Sequence, residues 1–300
     1  MFKIIGIKES IHEETETIEH TINVETLIKC IIIASGNDAS VAMAEHIAGS
    51  EEEFVKQMNT RAKKLGMNNT NFIDCCGLTD SDDHYTTAKD VAIMSRELIT
   101  KYPVIFKYST IWMETIIHKT DKGEKEFVLS NTNKLLKTNV KGLKTGSTSK
   151  AKYCVSTVAE KDNVELIAVV MAAADYKERF NISQKLINYG FANCKVYTDN
   201  KKYNGNIKIS NGKKESLKIK KTDFSYVDTK NNDLSKIKRK ISIKKDLQAP
   251  VRKGEIVGKA SYYLKGKNIG EVNIVSEECV NKMNYGFSLI KCMQMFFRIG

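Results

Sequence analysis

The sequence predicts an α+β domain followed by a small all-β domain. Apolar residues recur at helical spacing over most of the first hundred residues, and an antiparallel strand pair and a further helix follow them. Short alternating runs fill the chain after about residue 195. The 300 residues suffice for two cores. We therefore expect a first domain at 1–194, a second at 195–277 and an amphipathic segment at 278–300.

Four helices are predicted before the strands, from apolar spacing and from capping residues at their starts. They cover residues 23–34, residues 39–48, a segment opened by the capping box at 50–53 and ended by Gly66, and a segment entered at Thr86-Thr87.

Strands and one more helix are predicted for the rest of the first domain. The expected strands are 124–129, 153–159 and 164–172, with a glycine-containing turn at 140–150 and a helix at 177–189 that ends at Gly190. In the second domain, Asn211-Gly212 predicts a tight hairpin turn between two alternating runs.

Charge is distributed unevenly along the chain. The net charge is +12, yet residues 201–300 hold 23 Lys and Arg against 9 Asp and Glu, while residues 1–200 hold 25 against 27. A basic domain can bind nucleic acid, anionic lipid or an anionic wall polymer. Because the sequence contains no nucleic-acid-binding motif, we expect no nucleic-acid partner. For any single lysine, a solvated surface is the simpler interpretation.

The C-terminal segment contains an amphipathic stretch at 285–300. Lys291, Gln294 and Arg298 fall on one narrow stripe, and apolar side chains fill the rest. This pattern suits a helix in a membrane interface, or equally one packed on its own domain. The 7 cysteines and 5 histidines lack metal-ligand spacing, so neither a metal nor another cofactor is expected.

Two short motifs carry residue types suited to catalysis. Ser-Gly-Asn at 35–37 lies at the predicted break between two helices, and Lys-Thr-Gly at 144–146 leads into a strand. A hydroxyl and an amide beside an ammonium can transfer a proton and hold a peptide carbonyl, and a glycine lets a substrate backbone approach. On the motifs alone, a helix cap at the first and a plain turn at the second explain them equally well.

The sequence around these motifs resembles the D-alanyl-D-alanine carboxypeptidases of the low-molecular-mass penicillin-binding proteins (peptidase S11). The resemblance extends over about residues 15–300. It lies in VETLIKCIIIASGNDASVAMAEHIAG (24–49), KLGMNNTNFIDCCGL (64–78), HYTTAKD (84–90), VKGLKTGST (140–148) and KLINYGFANCK (185–195). It implies a penicillin-recognising (β-lactamase/transpeptidase-like) first domain, incomplete at its N-terminus. Cys75-Cys76 departs from the proline-containing dipeptide usual before Gly77-Leu78.

The resemblance implies roles for six residues. Ser35 would relay a proton to the leaving D-alanine, Asn37 would hold the substrate amide, and Lys144 would orient the substrate and favour proton transfer through Ser35. The implied substrate-binding residues are Lys144, Thr145, Gly146 and Arg179. Thr145 and Arg179 would grip the terminal carboxylate. For Arg179, a surface ion pair on a helix is the competing interpretation.

The family's nucleophile and general-base lysine stand in an SxxK motif upstream of the Ser-Gly-Asn position. Before Ser35 the sequence has one serine, Ser10, and Glu13 stands three residues after it. Later SxxK strings, such as those at 147–150, 210–213, 235–238 and 242–245, are interpreted as coincidences. Without a serine activated by a neighbouring base, no acyl-enzyme forms by the family route. We therefore expect an N-terminally truncated chain that is inactive alone.

The resulting hypothesis is a serine-type D-Ala-D-Ala carboxypeptidase, a hydrolase that trims peptidoglycan stem peptides, in a form lacking its nucleophile. The alternative is a non-catalytic relic of the same fold that binds cell wall or membrane. A class A β-lactamase is disfavoured, because it would lack the β domain.

The resemblance also implies partners and a location. The partners are stem peptides ending in D-Ala-D-Ala, β-lactams as covalent inhibitors, and an anionic membrane surface reached through the C-terminal segment. The family works at the extracytoplasmic face of the bacterial membrane. A chain made as written, without a signal peptide, would stay in the cytoplasm.

Overall fold

The computed structural model describes residues 2–5, 19–120, 123–138, 140–201 and 205–297. It divides the chain into two compact units, residues 1–192 (unit 1) and 193–300 (unit 2). Ser10, the one serine before Ser35, and Arg298, on the polar stripe of the C-terminal segment, lie outside the described residues.

Unit 1 begins with a short hairpin and continues as helices. The hairpin pairs β1 (Phe2–Ile5) with β2 (Glu19–Ile22). The helical segments are α1 (Val24–Lys29), a π-helical turn (Cys30–Ala34), α2 (Asn37–Ala48), α3 (Glu51–Leu65), α4 (Ala88–Lys101), a 3-10 turn (Pro103–Ile105) and α5 (Phe106–Ser109). All four predicted helices are confirmed.

Capping residues fix the helix ends, as the sequence predicts. The Ser50 hydroxyl accepts a hydrogen bond from the Glu53 backbone N–H (3.2 Å), and the Thr87 hydroxyl accepts one from the Asp90 N–H (3.1 Å). Gly66 ends α3 in the left-handed region, at φ 78°.

The rest of unit 1 is a hairpin, a three-stranded sheet and a long helix. The elements are β3 (Met113–Thr120), β4 (Gly123–Ser130), a 3-10 turn (Lys134–Lys137), β5 (Val140–Thr148), β6 (Lys152–Lys161), β7 (Val164–Ala173) and α6 (Tyr176–Asn193). β3 pairs with β4, and the antiparallel sheet has the order β5-β6-β7. Helices cover both faces of this sheet: α6 through Phe180 and Ile187, and α4 through Ile99.

Two predictions in this region are wrong. Residues 140–148 are a strand and not a turn: Gly142, at φ 90°, sits at an irregularity in the pairing where a Cβ would lie 2.4 Å from the Ser109 carbonyl oxygen. The last helix does not end at Gly190 but runs to Asn193. Gly190 instead permits close packing, because a Cβ there would meet Leu166 Cδ1 at 2.6 Å.

Unit 2 is rich in strands and ends in a helix. Its elements are β8 (Lys195–Asp199), β9 (Gly205–Lys208), β10 (Ser216–Lys221), β11 (Phe224–Asp228), a 3-10 turn (Leu234–Lys236), β12 (Lys238–Ile243), β13 (Ile256–Leu264), β14 (Lys267–Ser276) and α7 (Tyr285–Phe297). The sheets are β12-β13-β14-β10-β9 and β11-β8.

The predicted Asn211-Gly212 hairpin is only partly right. β9 and β10 do pair, but Lys208 is opposite Ser216, so the connection is longer than a two-residue turn. Ser210 and Gly212 instead form bridges to other segments of unit 2, opposite Gln248 and Lys282. These contacts lie far away in sequence, where a local turn pattern carries no information.

The core of unit 2 surrounds Tyr262, which is fully buried and stacks on Phe224 with ring centroids 3.7 Å apart. By contrast, α7 leaves large apolar side chains exposed, with Tyr285 at 85% and Phe296 at 86%. Within the described residues, no helix combines the length and the apolar character needed to cross a bilayer.

Candidate active site

Ser35 occupies a strained position between two helical segments. It follows the π-helical turn with φ 63° and ψ 40°, in the left-handed region that side-chain-bearing residues rarely adopt. The next N–H, of Gly36, closes the turn onto the Cys30 carbonyl at 3.0 Å. Such strain persists only where surrounding structure enforces it, and it is concentrated at functional sites.

Lys144 lies on β5 and reaches Ser35 from the sheet. Its ammonium donates hydrogen bonds to the Ser35 hydroxyl at 2.6 Å and to the Thr145 carbonyl at 2.9 Å. Burial, with a smaller contribution from the nearby Arg179 charge, lowers the pKa of Lys144 from its ordinary 10.5 to about 8. The two motifs, 109 residues apart in sequence, therefore form one site.

Thr145 and Gly146 continue β5 away from Lys144. Thr145 is 7% exposed, and its hydroxyl lies 2.5 Å from that of Thr132. Gly146 is exposed, and a Cβ built on it would meet nothing within 4 Å. Among the described residues no strand pairs with the outer edge of β5, so an extended chain could lie along it at Gly146.

Arg179 lies behind this strand on α6. It is 4% exposed, and its Nη1 donates to the Gly146 carbonyl at 3.2 Å and to the Cys154 carbonyl at 3.4 Å. The guanidinium is also surrounded by aromatic rings, with centroid distances of 5.7 Å to Tyr153, 4.9 Å to Tyr176 and 4.7 Å to Phe180. The competing interpretation, a surface ion pair, is wrong because the residue is buried.

Asn37 follows Ser35 at the start of the next helix. It is the first residue of α2, two positions after Ser35, and its side chain is exposed. The structure therefore brings Lys144 into contact with Ser35 and joins Gly146 to Arg179, and it leaves Asn37 on the neighbouring helix start.

Sequence reasoning missed residues that support the site. Thr132, the hydroxyl partner of Thr145, belongs to no motif. Behind Lys144, its register partner Ser156 on β6 meets Ser95 of α4 in a buried pair at 2.8 Å. Single hydroxyls such as these give no sequence signal, because their role depends on which strands pair.

At three of the later SxxK strings, the serine or the lysine is hydrogen-bonded to another group. At 147–150 the Lys150 ammonium donates to Asp82 Oδ1 at 2.7 Å, on the loop before α4. In unit 2, the Ser210 hydroxyl donates to the Leu247 carbonyl and that of Ser235 to Asp233 Oδ1. Over the described part of the chain, no group of three or more His, Cys, Asp or Glu side chains is arranged to hold a metal ion.

Comparisons with known families match both units. The family model described as D-alanyl-D-alanine carboxypeptidase (Peptidase S11) matches residues 8–175. The model described as penicillin-binding protein 5, C-terminal domain, matches residues 191–282.

Individual relatives agree with these matches. D-alanyl-D-alanine carboxypeptidase DacF of Bacillus subtilis (strain 168) is 38% identical over 267 residues, covering 87% of this chain and 67% of that protein. Penicillin-binding protein 5 from Haemophilus influenzae matches in structure with a TM-score of 0.62 and 34% identity, covering 87% of this chain and 75% of that one. Penicillin-binding protein D2 from Listeria monocytogenes, in its ampicillin-bound form, matches with a TM-score of 0.52 and 31% identity, covering 63% and 76%. The chain spans about two thirds of the length of the curated relatives it matches.

Proposed function

The chain belongs to the Peptidase S11 family of D-alanyl-D-alanine carboxypeptidases, and from this we propose that unit 1 carries the substrate-binding half of a D-Ala-D-Ala site. The observation that carries the proposal is the 2.6 Å hydrogen bond from the Lys144 ammonium to the Ser35 hydroxyl. It joins the two motifs with donor and acceptor in the order that a proton relay needs.

The substrate in this proposal is a peptidoglycan stem peptide that lies along the open edge of β5. Lys144 supplies positive charge for the terminal carboxylate, and Thr145 supplies a hydroxyl donor beside it. Arg179 acts from behind the strand, where its guanidinium holds the Gly146 carbonyl and adds a second positive charge. Asn37, exposed at the start of α2, would hold the substrate amide.

We further propose that this chain alone binds without hydrolysing. Acyl transfer needs a hydroxyl next to a base that accepts its proton. Ser35 is next to Lys144, but in the family that position relays a proton to the leaving D-alanine, and no SxxK string precedes it in this sequence. The family setting is the extracytoplasmic face of the bacterial membrane, where stem peptides and β-lactams are met.

Calorimetric titration with an acylated L-Lys-D-Ala-D-Ala tripeptide tests this function. We expect saturable binding, no D-alanine release, and clearly weaker binding of the L-Ala-L-Ala stereoisomer. Ser35→Ala is the matched variant, because it removes only the hydroxyl that faces Lys144. Equal affinity for both stereoisomers, or no binding of either, would contradict the proposed function.

Binding of the tripeptide is expected to fall above pH 8. The Lys144 ammonium has a pKa of about 8 and must be charged to attract a carboxylate. Affinity should therefore be flat below that pH and fall about tenfold per pH unit above it. Lys144→Arg, which stays charged, should flatten the profile whatever its absolute affinity. An unchanged profile in that variant would show that another group titrates.

A second candidate function is favoured by the exposed apolar side of α7. Tyr285, Met293 and Phe296 are more than half exposed, a pattern that suits insertion into a lipid interface. We propose that α7 binds an anionic membrane surface, with or without catalysis by unit 1. Sedimentation with phosphatidylglycerol vesicles should recover the wild-type chain, and Phe296→Ser with Met293→Ser should weaken recovery strongly. If the substituted chain sediments with the vesicles as well as the wild type does, α7 is not the membrane-binding segment.

A further inference from the structure

One face of the five-stranded sheet in unit 2 is built from lysines. All six are exposed, and they come from four of the five strands: Lys208, Lys218, Lys220, Lys238, Lys240 and Lys259. We call this set the lysine face.

The strand register puts these side chains on the same side. Lys240 is opposite Ser261, and Ser261 is opposite Glu271. Four residues further along β14, Val275 is opposite Lys220 of β10. Directly opposed residues share a face, and so do residues two apart along a strand. The intervening residues, such as Leu217 and Ile219, are buried in the core beneath.

Positive charge is in excess on this face. The carboxylate of Glu271 lies among the lysines, where it accepts from Lys259 at 3.3 Å and from the Ser261 hydroxyl at 2.8 Å. Within the described residues, none of the other five lysines forms an ion pair through its ammonium. Glu215 and Glu278 lie near Lys208 and Lys218, but their carboxylates are paired with Lys291 and Lys214. Folding therefore concentrates a net positive charge on one surface, and that arrangement attracts a polyanion.

The chemistry of the face disfavours insertion into lipid. Between the lysines lie polar or half-buried side chains such as Ser261, Asn273 and Tyr263. Ile256, opposite Val275, is the large exposed apolar side chain at its end. Interfacial membrane binding needs buried apolar area in addition to charge, and in unit 2 that area is on α7. A purely electrostatic partner fits the lysine face better.

We propose that the lysine face binds a linear polymer that carries one phosphodiester charge every few bonds. Alternate lysines on one strand, as at 218 and 220, are about 6.8 Å apart, and neighbouring strands are about 4.8 Å apart. An ammonium is a point charge that contacts phosphate from many directions, so it tolerates a flexible chain. The inference concerns unit 2 and holds whether or not unit 1 binds D-Ala-D-Ala.

The test measures binding of poly(glycerol phosphate) to the full chain at several salt concentrations. The face variant is Lys218→Gln, Lys220→Gln and Lys240→Gln together. The control variant is Lys230→Gln, Lys245→Gln and Lys253→Gln, which removes the same charge from exposed turns. We expect the face variant to lose about 2 to 3 units of salt slope and roughly tenfold or more in affinity, and the control to lose much less. Thermal unfolding should be unchanged in both, because every substituted side chain is exposed.

Three results would overturn the proposal. One is wild-type protein that does not bind the polymer, and another is equal loss in the two variants, which would mean that net charge alone drives binding. The third comes from parallel titrations with phosphatidylglycerol vesicles and a 20-base-pair DNA duplex. If the face variant loses binding to either of these but keeps polymer binding, the face belongs to that partner instead.

Discussion

Replacing Lys144 by methionine is expected to weaken tripeptide binding by roughly 10- to 150-fold and to stabilise the fold at pH 7. The loss reflects a hydrogen bond between charged groups, which is worth about 1.5–3 kcal/mol. The gain in stability has a separate origin, because the folded chain holds a half-buried ammonium beside the positive charge of Arg179. Methionine has a similar shape and carries no charge to desolvate.

The pH dependence of that gain follows from the two pKa values of Lys144. Folding lowers the pKa from 10.5 to about 8, so below pH 8 the folded state carries the full cost of the buried charge. That cost is at most about 3.4 kcal/mol. Between pH 8 and 10.5 the unfolded chain binds more protons, and this group makes stability rise with pH.

Urea unfolding of Lys144→Met and wild type at pH 7 and pH 10.5 measures this directly. The variant should be more stable at pH 7, and the difference should vanish near pH 10.5. Ser35→Ala is the control, since it keeps the ammonium and should show no such pH-dependent gain. A variant less stable than wild type at pH 7 would contradict the assigned burial cost.

Gly142→Ala is expected to destabilise unit 1 by about 3 kcal/mol. Its φ of 90° is unfavourable for a side-chain-bearing residue, and a Cβ would lie 2.4 Å from the Ser109 carbonyl oxygen. Backbone strain of about 1–2 kcal/mol and overpacking of about 1–3 kcal/mol add here. Because β5 carries Lys144, ligand affinity should fall together with stability.

Gly146→Ala is the matched control on the same strand. A Cβ there meets nothing within 4 Å, so stability should change by less than about 0.5 kcal/mol. Affinity for the tripeptide should still fall, because the new methyl would occupy the edge of β5 along which we propose that the substrate lies. If Gly142→Ala and Gly146→Ala lower the free energy of unfolding by the same amount, the irregularity at Gly142 is not the cause of the destabilisation.

The sequence identifies the two motifs of this site more readily than it predicts the geometry around them. The motifs at Ser35 and Lys144 can be recognised because each is a fixed order of specific residue types. In the structure the Lys144 ammonium lies 2.6 Å from the Ser35 hydroxyl. Residues 140–150 are predicted as a turn because glycine is frequent in turns. Residues 140–148 instead form a strand, in which Gly142 accommodates a close approach to Ser109. That requirement comes from a segment about thirty residues away in the chain, and no local pattern reports it.

The burial of Arg179 is a second feature that the local sequence pattern does not predict. A charged residue on an amphipathic helix is compatible with either a surface ion pair or a buried site. The helix period alone does not say how closely α6 packs onto the sheet. The aromatic rings around the guanidinium show that Arg179 is buried and not in a surface ion pair. One of these rings, Tyr153, belongs to β6.

The most direct test of the central claim, a binding site without an acylatable serine, is the intact mass of the purified chain after incubation with a β-lactam. We predict an unchanged mass, because no serine before Ser35 has a lysine three residues on. A stoichiometric adduct would contradict this. Peptide mapping would then begin at Ser147 and Ser35.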